Sequence, residues 1–408
     1  MKQVSLPWMI FYGAARFGIG IHDIFFNSVA GFYLASYRLP NVAIGFLANE
    51  RSFIGSVLQP MAGAASDRLR SPIGRRRPFM FLIIPAILGF LLLMHRPQVW
   101  LVVLIFVLAP IFLGLAVTAY EVLLPDCVLP SQRGTVNGVN RALGYIGGMG
   151  FLVLAFMFWE EAPWAIFLLV AVSLGVGFLT TMVLVQEPPA PQEEEAPVSF
   201  QPLAYIRDIL SYREAAKYVV SYFFFWVGIG GVTPFITRFG HQELGIPENE
   251  TFLLLLAVMV STLISAVPAG WLGDKVGKKR VSLWGLLAFG LIILVSSQLT
   301  SKEQAIVALT LAGIAQAVPT VLAYPMFTEI VPARRMGELS GMSTMIWSLA
   351  QPLGATVFGS LADMTGTLRI VLMGGGVALL ISWVLLMTVQ MPEQSSPQLA
   401  KRPVAKTE

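Results

Sequence analysis

The sequence is poor in charge and in the residues that build most catalytic and metal centres. Of its 408 residues, 12% are charged and three are histidine. A single cysteine, Cys127, excludes an intrachain disulfide framework. There is no Gly-x-x-x-x-Gly-Lys-Ser loop, no cluster of His and Cys and no Ser-His-Asp constellation. The sequence therefore indicates neither an ATP-driven pump nor an enzyme, and we expect no metal and no cofactor.

Hydrophobic residues, by contrast, make up 56% of the chain and give it a mean hydropathy of +0.73. This is too much apolar surface for a water-soluble domain, so the sequence predicts an integral membrane protein. Apolar runs of about 20 residues recur from end to end, which predicts spanning helices and an all-α fold. We predict twelve helices, near residues 8–37, 41–66, 79–95, 99–124, 135–158, 163–185, 216–240, 251–272, 281–300, 304–328, 338–360 and 369–391.

An arginine-rich loop, GAASDRLRSPIGRRRP at Gly63–Pro78, separates the second and third predicted helices. Dense arginine in a short loop is held on the cytoplasmic side, so we predict a multi-pass protein of the cell membrane with both termini cytoplasmic. Most basic residues then fall on that side, which accounts for the net charge of +4 without a nucleic-acid partner. Five are expected on the opposite, aqueous side: Arg38, Arg96, Arg238, Lys302 and Arg369.

The predicted helices fall into two units of six. Residues 186–215, which are rich in Pro and Glu at their start, predict a cytoplasmic linker between an N-terminal unit, residues 1–185, and a C-terminal unit, residues 216–391. Residues 392–408 are predicted to form a cytoplasmic tail.

Two internal similarities relate these units. GWLGDKVGKKR at Gly270–Arg280 repeats the pattern of the arginine loop, and Asp67 and Asp274 are 207 positions apart. PDCVLPSQRGTVNG at 125–138 resembles TEIVPARRMGELSG at 328–341, with an offset of 203. Similar offsets indicate duplication of a six-helix unit, an arrangement found in transporters that rock around a midplane site.

The loop between helices two and three resembles the Gly-x-x-x-Asp-Arg-x-Gly-Arg-Arg signature of the major facilitator superfamily. Its longer insert, SDRLRSPIGRRRPF, together with YEVLLPDCVLPSQRGTVNGV at Tyr120–Val139, is similar to the branch of melibiose-type glycoside–cation symporters and sucrose–proton symporters. The resemblance implies secondary transport of a small molecule across a lipid bilayer. Lipid carriers share this fold, so the substrate does not follow from it. We expect a monomer.

The arginine loop and its repeat are also the predicted conformational gate. Asp67 and Asp274 fall just past helices two and eight, where a carboxylate can bind a neighbouring helix N-terminus and pair with arginines across the two halves in one conformation only. The alternative is that the arginines are only topology anchors. The predicted gate residues are Gly63, Asp67, Arg68, Arg75, Arg76, Gly270, Asp274 and Arg280.

Six charged residues lie within the predicted helices of the first half. Each costs roughly 2.5 to 3.5 kcal/mol at the bilayer centre if left unpaired, and three acids with three bases allow complete pairing. Such pairs either join helices structurally or let a carboxylate exchange a proton when substrate breaks the pair. The six residues are Arg16, Asp23, Glu50, Arg51, Glu121 and Arg141.

The branch resemblance implies roles for these residues. Asp23, Glu121 and Arg141 would match groups that hydrogen-bond sugar hydroxyls, and Glu50 would match the cation-coupling carboxylate. Melibiose-type carriers place a second acid one turn away on helix two, whereas Phe46 and Ile54 are apolar here. A lone carboxylate next to an arginine favours a proton over sodium as the coupling ion. The predicted proton-coupling residues are Glu50, Asp23 and Arg51, and His22 is either a proton relay or a residue satisfied by a neighbouring helix.

In the second half, Gln316 and Trp347 are the candidate substrate contacts, because sugars stack on indole rings and hydrogen-bond to amides. Together with Asp23, Glu121 and Arg141 they complete the predicted substrate site. The preferred function is proton-coupled uptake of a glycoside or another polar solute. The alternatives are a proton-driven exporter of drugs or amphiphiles, and a receptor or assembly factor that does not transport.

Overall fold

The computed structural model describes residues 3–49, 69, 71–187, 212–331 and 336–391. Within these ranges the helices fall into twelve successive segments, of which α2, with seven residues, is the shortest. The segments are α1 Leu6–Ser36, α2 Asn41–Leu47, α3 Arg77–Leu93, α4 Val99–Cys127, α5 Arg133–Phe158, α6 Pro163–Leu184, α7 Arg213–Leu244, α8 Glu248–Val276, α9 Lys278–Ser296, α10 Lys302–Ile330, α11 Met336–Thr365 and α12 Arg369–Met387.

The helices confirm the predicted all-α fold, and all except α2 follow the predicted spans within a few residues. The second predicted span, 41–66, lies outside the described residues from residue 50 onward. Eight of them, α4 to α10 and α12, are long and apolar enough to cross a membrane among the residues described. α3 consists of Arg77–Met80 and Ile83–Leu93, and α7 passes through a 3₁₀ turn at Thr233–Phe235. α7 ends at Gly245, whose φ of 66° suits glycine at a helix C-terminus.

The helices alternate in direction, which gives the molecule two faces. The start of α1, the end of α12 and the described residues of the connections α2–α3, α4–α5, α6–α7, α8–α9 and α10–α11 share one face, called here the termini face. The odd-numbered connections, from α1–α2 to α11–α12, share the other, called here the opposite face. We call α1–α6 the N-terminal half and α7–α12 the C-terminal half.

The two halves repeat the same internal packing. α1 packs on α5 and α6, and α7 packs on α11 and α12. The Tyr12 hydroxyl of α1 donates a hydrogen bond to the Tyr120 carbonyl of α4 at 3.2 Å. The Tyr218 hydroxyl of α7 donates to the Ala323 carbonyl of α10 at 2.5 Å, with residue offsets of 206 and 203. Because the same tyrosine-to-carbonyl contact joins corresponding helices, the structure supports the duplication inferred from sequence.

Glycines bring α1 and α5 into direct backbone contact. A Cβ atom placed on Gly20 would lie 2.1 Å from the carbonyl oxygen of Gly144, and one on Gly147 would lie 2.4 Å from that of Phe17. Only glycine allows an approach this close, as is common between helices in membranes. The contact fixes the position of α1 against α5, and both helices carry candidate site residues.

Candidate substrate site and gates

The polar side chains of α1 lie on one face of the helix. Arg16, Asp23 and Asn27 are spaced by seven and four residues, so they share that face. The Asp23 side chain is 30% exposed, and the Asn27 amide donates to the Asp23 carbonyl at 2.9 Å. The structure therefore places Asp23 where a solute can reach it.

Arg16 links this face of α1 to α4 and α5. Its Nη1 atom lies 3.8 Å from Oε1 of Glu121 on α4, and Glu121 is 62% exposed. Its side chain lies beside Gly144 of α5, where a Cβ would come within 3.3 Å of the Arg16 Cγ atom. Arg141 is exposed one turn before Gly144, about 5 Å along α5. Three of the predicted site residues, Asp23, Glu121 and Arg141, thus come from three neighbouring helices.

The second-half candidates are only partly described. Gln316 is half-buried on α10, where its carbonyl accepts a hydrogen bond from the Thr320 hydroxyl at 2.8 Å. Trp347 lies on α11, but its side chain is outside the described part of the structure. Two coupling candidates and three gate candidates also lie outside the described residues: Glu50, Arg51, Gly63, Asp67 and Arg68. Among the described residues, no group of three His, Cys, Asp or Glu side chains could hold a metal ion.

The described part of the arginine loop is held by ion pairs and hydrogen bonds within the N-terminal half. Asp126, at the end of α4, pairs with Arg75 at 2.8 Å and with Arg76 at 3.1 Å. The Glu187 carboxylate, beyond α6, accepts hydrogen bonds from the backbone N–H groups of both arginines. Arg76 is 2% exposed and Glu187 4%, so these charges are buried and paired.

A related contact joins α9 and α10 at the termini face of the C-terminal half. Lys278 pairs with Glu329, and these residues lie 203 positions after Arg75 and Asp126. Of the predicted gate residues there, Gly270 is half-buried and Arg280 is exposed. Asp274 is 74% exposed and lies 4.0 Å from Lys278. In this conformation Arg75, Arg76 and Lys278 pair with acids of their own halves.

The halves meet instead at the opposite face, through residues that the sequence did not single out. Both carboxylate oxygens of Asp363, on α11, accept hydrogen bonds at 2.8 Å from the backbone N–H groups of Asn41 and Val42. This carboxylate therefore caps the N-terminus of α2 from the other half. Arg238 of α7 donates from Nη1 to Oδ1 of Asn41 at 2.7 Å. We call Asn41, Arg238 and Asp363 the latch.

Arg238 lies at the opposite face, as expected for one of the five basic residues on that side, but it is only 5% exposed. Its aliphatic stem packs on Gly31 of α1, where a Cβ would lie 3.1 Å from the Arg238 Cδ atom, and Asp363 offsets its charge. Burial comes from the other half, so a hydropathy profile of α7 alone could not reveal it.

Two further contacts close the same face. The Trp159 indole at the end of α5 donates to Glu248 at the start of α8 at 2.8 Å. The Thr237 hydroxyl of α7 donates to the Ser28 carbonyl of α1 at 2.9 Å. These hydrogen bonds between the halves all lie toward the opposite face. The described part of the molecule is closed there.

Apolar helices in two repeated halves, with charged side chains on facing helices, define a multi-pass membrane transporter. The chain belongs to the MFS/sugar transport protein family, which it matches over residues 11–389. The resemblance to the major facilitator superfamily is confirmed, and the protein is a transporter rather than an enzyme.

Individual relatives are distant. The chain is 21% identical over 399 residues to the MFS-type transporter YxiO of Bacillus subtilis, covering 94% of this chain and 92% of YxiO. It is 30% identical over 142 residues to the facilitated trehalose transporter Tret1 of Drosophila virilis, covering 34% of this chain and 15% of Tret1. The nucleoside transporter NupG has the same fold, with a TM-score of 0.75 and 13% identity over 94% of this chain and all of NupG.

Proposed function

We propose that this protein moves a sugar, a glycoside or a related polar solute into the cell together with a proton, by alternating access. The observation that carries the proposal is the group of charged side chains on α1, α4 and α5. Arg16 and Glu121 are 3.8 Å apart and partly exposed, Asp23 is partly exposed on the same face as Arg16, and Arg141 is exposed. Several hydroxyl groups of one solute can bind such a set of acceptors and donors at once.

The family and a trehalose-transporting relative support a sugar over an apolar substrate. Proton coupling rests on Asp23 and on Glu50, because a membrane-embedded carboxylate is costly unless it is paired or protonated. The latch supplies one gate: it would open while the arginine loop and its repeat form contacts between halves at the termini face. In this reading the termini face is cytoplasmic, the membrane is the cell membrane, and the structure is closed to the outside.

The first experiment identifies the solute. Purified protein is screened for thermal stabilisation by sugars, glycosides, amphiphiles and drugs, because a ligand that binds only the folded state raises the unfolding temperature. We expect stabilisation by a mono- or disaccharide such as melibiose or sucrose. Stabilisation by amphiphiles alone would favour the exporter, and no stabilisation by any class would favour a receptor or assembly factor.

The second experiment measures coupling. In proteoliposomes with an imposed pH gradient, uptake of the radiolabelled sugar should exceed equilibration and collapse with a protonophore. Glu50→Gln should remove accumulation, since glutamine cannot carry the proton. Accumulation that withstands both the protonophore and Glu50→Gln would refute the proton role while leaving sugar transport intact.

A further inference from the structure

A buried histidine adjoins the candidate site without belonging to its polar face. His22 precedes Asp23 on α1 and is fully buried. Its ring lies 4.7 Å from that of Phe26 and 5.7 Å, edge-on, from that of Phe90 on α3. A histidine at such a position costs folding free energy, because it buries a polar group that needs a hydrogen-bond partner, whereas a phenylalanine would fill the same space without one.

The imidazole has one polar neighbour that defines its hydrogen position. Nδ1 of His22 lies 3.3 Å from Oδ1 of Asp23, while Nε2 is buried with no hydrogen-bond partner among the residues described. While Asp23 is ionised its carboxylate can only accept, so in that state Nδ1 carries the hydrogen and Nε2 has a lone pair in an apolar shell. Among the described residues, the ring therefore has a hydrogen-bond partner only in Asp23.

Among the described residues, Asp23 is the charged group nearest to the ring. α3 over Ile83–Leu93 and α6 over Pro163–Leu184 contain no charged residue. The charged groups on the polar side are Arg16, two turns earlier on α1 and about 10 Å along the helix, with Glu121 of α4 beyond it, and Arg141 of α5. His22 and Asp23 are thus one buried and one exposed half of a single polar unit.

We propose that His22 and Asp23 bind and release the coupling proton as one unit. The proton enters from water in contact with Asp23, the charge of the unit changes from −1 to zero, and release reverses the step. His22 is a positioning residue: it orients the carboxylate from the buried side and sets how tightly the unit holds its proton. The proposal rests on the proposed proton coupling and names the residue that completes its site.

The pair can be tested without substrate, because the chain has only three histidines. Nitrogen NMR of ¹⁵N-histidine-labelled protein distinguishes a ring protonated at Nδ1 from one protonated at Nε2, and His22→Asn identifies the His22 signals by their loss. We expect the Nδ1–H form at alkaline pH, and a change in the ring signals as the pH falls. In Asp23→Leu the Nδ1–H preference should disappear. An Nε2–H ring in the unmodified protein, or His22 signals that do not depend on Asp23, would overturn the pairing.

Transport variants test the proton role. His22→Asn keeps a donor beside Asp23 but cannot titrate, whereas His22→Phe keeps only the packing. We expect His22→Phe to lose at least tenfold in protonophore-sensitive accumulation of radiolabelled sucrose or melibiose, yet to retain exchange of labelled for unlabelled sugar, which needs no net proton movement. His22→Asn should accumulate sugar with a shifted pH profile. The exposed His95→Asn is the control and should match the unmodified protein.

The outcomes separate the two proposals. If both His22 variants keep the normal pH profile of accumulation, His22 has no part in coupling even where the protonophore abolishes uptake. If uptake by the unmodified protein ignores the protonophore, proton coupling itself fails, and the NMR result still decides whether His22 and Asp23 form a titrating pair.

Discussion

Asp126 pairs with two arginines at the termini face, and Glu187 is a second acid beside them. Asp126 is 16% exposed and Arg76 only 2%, so removing the carboxylate takes a close acidic partner away from buried positive charge. Breaking a buried ion pair typically costs about 3 to 5 kcal/mol. We expect Asp126→Asn to lower the unfolding temperature clearly in detergent. Asp274→Asn, which alters a 74% exposed acid at the same face, should change stability by less than about 0.5 kcal/mol.

Replacing Glu121 should have the opposite effect: it should weaken sugar binding and leave stability nearly unchanged. Its contact with Arg16 is 3.8 Å long and largely exposed, and exposed pairs contribute about 0 to 1 kcal/mol to stability. We therefore expect Glu121→Gln to unfold at nearly the normal temperature but to bind sugar at least tenfold more weakly, measured by isothermal titration. Glu161→Gln, an exposed acid at the opposite face, is the control. Unchanged sugar affinity in Glu121→Gln would remove this residue from the substrate site.

At the scale of elements, the contact between α1 and α5 depends on the absence of two side chains. A Cβ on Gly20 would lie 2.1 Å from the Gly144 carbonyl oxygen, so the helices would have to separate. Overpacking of this kind costs about 1 to 3 kcal/mol. Gly20→Ala should accordingly lower the unfolding temperature. Gly150→Ala, also on α5 but with nothing within 4 Å of the added atom, should leave stability unchanged or raise it.

The cap on α2 should control how often the opposite face opens. Asp363→Asn removes the charge that binds the α2 N-terminus and faces Arg238, and a helix cap contributes about 1 kcal/mol. In a Cys127→Ser background, a cysteine at Ser28, which is fully buried beneath this face, reports opening through its rate of thiol labelling. We expect Asp363→Asn to raise that rate about fivefold to tenfold.

A second carboxylate at the same face provides the matched control for the latch. Glu243 accepts hydrogen bonds from the Leu368 backbone and from Arg369, but all three residues belong to the C-terminal half. Glu243→Gln should therefore weaken a helix start without changing the labelling of Ser28→Cys. Equal acceleration by both variants would mean that Asp363 acts through general stability and not through closure.

At the scale of the whole molecule, the sequence predicts those features that depend on residues close together in the chain. Long apolar runs bounded by charges gave helix limits close to those observed, and repeated motifs gave the duplication. The latch escaped prediction because its contacts exist only where α2, α7 and α11 meet, and Arg238, the buried member, looks in isolation like an ordinary loop arginine. Partners of Arg75 were equally hidden, since Asp126 and Glu187 approach it from the ends of α4 and α6.

Alternating access requires the opposite face to open, so holding it shut should stop transport. Trp159 of α5 and Glu248 of α8 face each other across the halves at 2.8 Å. With cysteines at both positions in a Cys127→Ser background, a short reducible cross-linker should abolish sugar uptake into proteoliposomes, and reduction should restore it. The control pair, Glu250→Cys with Lys302→Cys, lies at the same face with side chains 2.6 Å apart but within the C-terminal half, so its cross-link should leave uptake unaffected. Undiminished uptake by protein fully cross-linked between α5 and α8 would show that this face need not open, and the rocking of two halves would have to be abandoned.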